Sequence, residues 1–129
     1  MKAIKYPIFE GKVVHGLEIG RTLGFPTANI ESAKGNIPQD GVYLAQIQID
    51  DIPYYGIMSI GNRPTFGSAT KTIEIHLLDF SRNLYQQTLT ITPLSYIREN
   101  KKFENSDLLK QQLQQDKDFA LKYLSTTKF

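Results

Sequence analysis

Residues 16–30, GLEIGRTLGFPTANI, hold three glycines, an arginine, two threonines and an asparagine within fifteen positions. Glycines let a main chain approach phosphate oxygens, and an arginine adds charge there. A Walker A loop, however, needs G-x-x-x-x-G-K-[ST] opening a helix. Here Gly16 and Gly20 enclose only three residues, Arg21 stands where the lysine would be, and Phe25-Pro26 turns the chain extended. The dinucleotide fingerprint G-x-G-x-x-G is also missing. On an extended segment Thr27 and Asn29 project to one side, two positions apart. One hydroxyl and one amide oxygen match what magnesium takes from a protein while phosphates and water complete its shell. A glycine-rich loop entering an edge strand would carry the same residues, and T-x-N alone does not separate the two.

Two further stretches carry chemistry. In TIEIHLLDF, residues 72–80, Ile73, Ile75 and Leu77 alternate with Glu74, His76 and Leu78. The first set should face a core and leave Glu74 and His76 on the opposite face. Glu74 could orient an attacking hydroxyl and accept its proton, or the two polar residues could simply face solvent. In SYIRENKKF, residues 95–103, Tyr96, Arg98, Lys101, Lys102 and Phe103 mix rings with cations, as a cover for a planar ligand or as a solvated basic loop. Zinc is disfavoured because the two histidines, His15 and His76, fall on separate strands, and no G-x-S-x-G elbow supports hydrolase chemistry.

The elements that must position these residues follow from pattern. All nine glycines lie between Gly11 and Gly67, among β-branched and aromatic runs. Strands are predicted at 8–14, 43–49, 54–60, 72–78 and 88–94, with a short extended piece at 27–30 and a tight hairpin at Asp50-Asp51. No helical pattern separates these runs, so an antiparallel sheet is favoured, and closure into a barrel would remove its edges. From Asn105 the chain lacks glycine and proline, and a helix should start at Asn105 or Ser106 and run to about 124. Its apolar stripe is Leu109, Leu113, Ala120 and Leu124, with Phe119 and Tyr123 beside it. Asp116 interrupts the stripe and reads as a structural hydrogen-bond anchor.

Composition narrows the field. The chain has 129 residues, 40% of them apolar and 22% charged, as in a folded domain of ordinary kind. No cysteine is present, which removes disulfides, thiolate metal sites and cysteine nucleophiles. A net charge of +2 suits an anionic ligand and is too small to imply nucleic acid. No apolar run reaches the roughly 20 residues of a membrane span, and a signal peptide's apolar core is absent, so a cytoplasmic protein is expected.

Taken together, GKVVHG (11–16), GRTLGFPTANI (20–30), DGVYLA (40–45), YYGIMSIGNRPTFG (54–67), IEIHLLDF (73–80), Leu84-Tyr85 and YIRENKKF (96–103) resemble riboflavin kinase, in particular the kinase module of bacterial flavin-synthesising enzymes. The pair PTAN and, some 45 residues on, E-x-H carries most of the resemblance. It implies a mainly β fold, a six-stranded antiparallel Greek-key barrel with a C-terminal helix, organised as one domain over 1–129. The barrel would span about 7–95, a flavin-covering loop about 96–104 and the helix about 105–124.

The implied reaction is transfer of the γ-phosphate of Mg-ATP to the 5′-hydroxyl of riboflavin, giving FMN and ADP. The resemblance assigns Glu74 as base, and Thr27 and Asn29 as magnesium ligands, with Thr27 also at the nucleotide. It puts Gly16 and Arg21 on a phosphate-covering loop, although the family varies at the arginine. Leu77, Asp79 and Tyr85 fall at the nucleotide, and Arg98, Lys101 and Phe103 on the loop over the flavin. The family often has glutamate two residues after that arginine, whereas Asn100 stands here and Glu99 one place earlier. With only about ten residues before GKVV, the chain is expected to make FMN but not FAD. Riboflavin, FMN, ATP and ADP would be its partners, without nucleic acid or membrane, and the protein is expected to be a monomer. A non-catalytic flavin- or nucleotide-binding regulator is the alternative, disfavoured by the presence of Thr27, Asn29 and Glu74.

Overall fold

The computed structural model describes residues 6–14, 27–65, 68–78 and 84–126. His15, Gly16, Arg21 and Asp79 lie outside the described residues. Six strands and a helix follow one another: β1 (Phe9–Val14), β2 (Thr27–Gly35), β3 (Gly41–Ile49), β4 (Ile52–Thr65), β5 (Ser68–Leu78), β6 (Thr88–Arg98) and α1 (Ser106–Thr126). The strands pair antiparallel in the order β1-β2-β5-β4-β3-β6 and close into a barrel through β6 and β1. Strands β3, β4 and β5 form a meander, and β6 returns to lie beside β3, which is a Greek key. Closure gives every strand a neighbour on each side.

Local chemistry explains the tight connections. Asp50 and Asp51 adopt φ of 51° and 65°, the left-handed pair a two-residue hairpin requires, and Asp tolerates that region. A Cβ on Gly56 would fall 2.9 Å from the main-chain oxygen of His76, so glycine is what lets β4 approach β5 there. Asn105 caps α1, its side-chain oxygen accepting from the Leu108 amide at 2.9 Å.

Period-2 alternation fills the barrel. Phe9, Ala28, Ile30, Ile47, Met58, Ile60, Ile73, Ile75 and Leu77 point inward in one cluster. A second, smaller cluster lies outside the wall, where Val42, Leu44, Ile57 and Leu78 meet Ala120 of α1. This helix makes β3 read as continuously buried from Gly41 to Ala45, since both of its faces are covered. Each Leu- or Ile-sized side chain removed from water contributes about 2 kcal/mol.

Three expectations need correction. Strand β2 runs on to Gly35, and β6 continues through Arg98. Residues 96–98 are therefore strand, held against β3 through a register shift near Val42, and the connection to α1 begins only at Glu99. Phe119, grouped beside the apolar stripe, is 43% exposed, while Leu113 and Ala120 bear the contact with the barrel. Among the described residues no helix is long and apolar enough to cross a membrane.

Candidate functional site

In antiparallel sheets, directly opposed residues share a face. Asn29 opposes Glu74, Glu74 opposes Ser59, Ser59 opposes Val42, and Val42 opposes Arg98. One transverse row thus crosses β2, β5, β4, β3 and β6 on the outside of the barrel. The next row sets Thr27 against His76 and His76 against Ile57. Ala28 and Ile30 are buried inside, so Thr27 and Asn29 do project together outward, beside the carboxylate of β5. Two segments 45 residues apart in the chain meet here, one carrying neutral oxygens and the other a carboxylate.

A cleft of about 260 Å³ opens on this face, bounded by Ser59, Glu74 and Arg98 on the wall, Lys101 and Phe103 on the loop, and Leu113 on α1. Two adjacent residues tie the loop down. Asn100 donates its amide to the Ile60 carbonyl oxygen at 2.7 Å, fastening the loop to β4. Lys101 reaches Gln112 of α1 at 3.3 Å. Arg98 sits at the end of β6 and forks onto Asp116 of α1, Nε to Oδ1 at 3.0 Å and Nη2 to Oδ2 at 2.8 Å. Gln112 donates to the same Oδ1 at 3.0 Å, so Asp116, 2% exposed, is a hydrogen-bond anchor as its place in the stripe implied. Arg98 therefore lines the cleft from the wall, with its guanidinium plane set by the helix.

The nucleotide candidates divide. The Leu77 side chain belongs to the barrel interior, so a contact with a ligand outside would come from its main chain. Tyr85 is exposed in the turn before β6, whose main chain bonds Val13 through Gln86 and Gln87. That turn lies at the barrel end where Val14 opposes Asn29.

His76 is not the solvent-facing histidine that one of the two sequence readings allowed. It is 7% exposed, and its Nδ1 lies 3.1 Å from the Thr27 hydroxyl. Burial lowers its pKa to about 4, outweighing the opposite pull of Asp116. The ordinary value is about 6.5, so between these values the unfolded chain binds a proton that the folded one refuses. Stability then rises with pH through this window. From this group alone, the unfolding free energy should fall by about 2 kcal/mol between pH 6.5 and pH 4.5. Urea titrations at both pH values, compared with a His76→Asn variant, would measure it; identical pH slopes in the two proteins would contradict it.

Pattern alone missed Ser59 and Thr72 as cleft lining, Asn100 as the loop's tie to β4, and Asp116 as the partner of Arg98. Only Asp116 left a signal, as a carboxylate inside an apolar stripe; the others are ordinary strand and loop residues until pairing brings them together.

A closed Greek-key barrel with a mostly polar row on its outer wall, facing a cleft under a loop and a helix, defines a small β-barrel domain with an external cleft. Residues 4–124 match the family model Flavokinase, described as riboflavin kinase, and the chain belongs to that family. A bifunctional riboflavin kinase/FMN adenylyltransferase of Haemophilus influenzae is 37% identical over 122 residues, covering 94% of this chain and 39% of its own length. An RNA-binding riboflavin kinase of Bacillus subtilis is 40% identical over 110 residues, covering 84% of this chain and 47% of that protein. Among solved structures, riboflavin kinase from Trypanosoma brucei superposes with a TM-score of 0.62 at 26% identity, covering 95% of this chain and 83% of that one. The chain spans about two fifths of the bifunctional relative's length.

Proposed function

We propose that this chain is an ATP:riboflavin 5′-phosphotransferase, forming FMN and ADP. The observation that carries the reading is the row placing Asn29 beside Glu74, with Thr27 next to them, on the face where the cleft opens. Riboflavin kinases use ATP and a divalent metal, and magnesium is the ion we assign here. The donor set fits it. An ion arriving with phosphates would be held by the Thr27 hydroxyl and Asn29 amide oxygens, two neutral donors on one side of β2. When bound, magnesium supplies positive charge to the β- and γ-phosphate oxygens.

The remaining work belongs to the chain. Glu74 orients the ribityl 5′-hydroxyl and takes its proton as that oxygen bonds to the γ-phosphorus and the bond to the β–γ bridging oxygen breaks. Lys101 and Phe103 cover the flavin from the loop, and Arg98 from the wall. Gly16 and Arg21 serve the phosphates, and Leu77, Asp79 and Tyr85 the nucleotide. In this reading the whole is one functional domain, a monomer, and cytoplasmic, where ATP is available. Nucleic acid is left outside its partners, given the net charge of only +2.

Incubation with riboflavin and Mg-ATP, followed by chromatography, should yield FMN and ADP in equal amounts; flavin binding without FMN would reject the reading. Asn29→Ala should weaken Mg-ATP binding about tenfold or more, the scale of one lost bond to a charged partner, and leave riboflavin binding alone unchanged. Calorimetric titrations with each ligand check it, and equal losses for both would remove Asn29 from the metal site.

A further inference from the structure

Thr27 and His76 come from segments 49 residues apart, and the β2–β5 register sets them directly opposite, with Oγ1 and Nδ1 3.1 Å apart. The imidazole is buried on the outer wall at the edge of the cleft, opposite Ile57 on β4 and near enough to Asp116 to feel its charge. We infer that His76 is a positioning residue for the nucleotide-bound metal, its Nδ1 accepting the Thr27 hydroxyl hydrogen so that the oxygen's lone pairs face the cation. This rests on the reading of Thr27 and Asn29 as the metal-holding oxygens.

A hydroxyl is a rotor with one hydrogen and two lone pairs. Left free, it presents its hydrogen toward a cation as readily as its oxygen. Fixed inward on an acceptor, it offers only lone pairs outward, and the ordering is complete before the ligand arrives. The opposite tautomer would donate to Thr27 and occupy one of those lone pairs. A neutral imidazole has one ring nitrogen able to accept and one that donates. The assignment is therefore Nδ1 as acceptor, with the ring hydrogen on Nε2.

Two measurements test it. In the first, Mn²⁺ binding to the protein–ADP complex is read by electron paramagnetic resonance, without riboflavin and without turnover. An asparagine oxygen mimics Nδ1, whereas a glutamine amide mimics Nε2. His76→Asn should keep Mn²⁺ affinity within about threefold, and His76→Gln should lose about tenfold or more, the usual scale for residues that orient metal ligands. ADP binding without metal should not change in either variant. Equal affinity in wild type, Asn and Gln variants, or equal loss in both variants, overturns the inference. Thr27→Val separates it from the reading beneath it. If that change leaves Mn²⁺ affinity intact, the metal assignment itself fails; if it weakens binding while His76→Gln does not, only the role of His76 fails. The second measurement needs no variant. Nitrogen-15 shifts of the wild-type His76 ring should show a bare Nδ1 and a protonated Nε2, and the reverse pattern overturns the inference.

Discussion

Glu74→Gln is expected to lower kcat about 100-fold or more, while the protein stays folded and keeps its affinity for Mg-ATP. The magnitude is that of losing a positioned general base, roughly 2.7 kcal/mol of barrel-site transition-state stabilisation. Glutamine retains the length and hydrogen-bonding outline of glutamate, so the row from Asn29 through residue 74 to Ser59 keeps its geometry. What disappears is the ability to take the 5′-hydroxyl proton. In phosphoryl transfer through a loose transition state the proton moves late, after most of the bond change at phosphorus. The loss should therefore fall on kcat, with both KM values close to normal. Steady-state kinetics with riboflavin and Mg-ATP varied separately checks this, and near-normal turnover would take Glu74 out of the role.

The second large effect concerns stability. Asp116→Ala should destabilise the protein by about 3–5 kcal/mol, the range for removing one partner of a buried ion pair. Asp116 is 2% exposed and Arg98 side-chain exposure is 17%, so little water is available to replace the lost carboxylate. The guanidinium would keep its bond to the Glu99 carbonyl and lose both bonds to Asp116, and Gln112 would lose its acceptor as well. Against a typical domain stability of 5–15 kcal/mol, this is a large share. Urea unfolding should show a lower midpoint at an unchanged slope. Replacing both partners with apolar residues, Arg98→Met with Asp116→Leu, should recover much of the loss, because no charge is then left buried alone. A single-variant loss below about 1 kcal/mol would mean that the pair behaves like an exposed one. Because Arg98 lines the cleft, the double variant also asks whether its charge serves the ligand: stability restored with flavin binding lost would give it both roles.

Several parts of this site are legible in the chain because they depend on local periods. Thr27 and Asn29 share a side by the two-residue repeat of extended backbone, and so do Glu74 and His76. The helix announces itself by losing glycine and proline and by a capping asparagine, and the structure places that cap at Asn105. The Asp50-Asp51 hairpin follows from residues that accept positive φ. Loop residues are harder to read: Asn100 differs from its neighbours in no periodic way, and its bond to Ile60 spans 40 positions of sequence.

What the sequence by itself determined, then, is which residues lie on the same side of each element, since side-chain direction is set within two to four residues by backbone geometry. Tertiary structure alone decided which elements became neighbours. The Greek key put β2 beside β5 and so joined Asn29 to Glu74. Packing of α1 against the outer wall covered Ile57 and Leu78, the neighbours of His76 on that face, and bound Arg98 to Asp116. Pairing and burial of this kind are contacts between distant segments, chosen by closing the barrel and covering its apolar outer patch, and no local pattern encodes that choice.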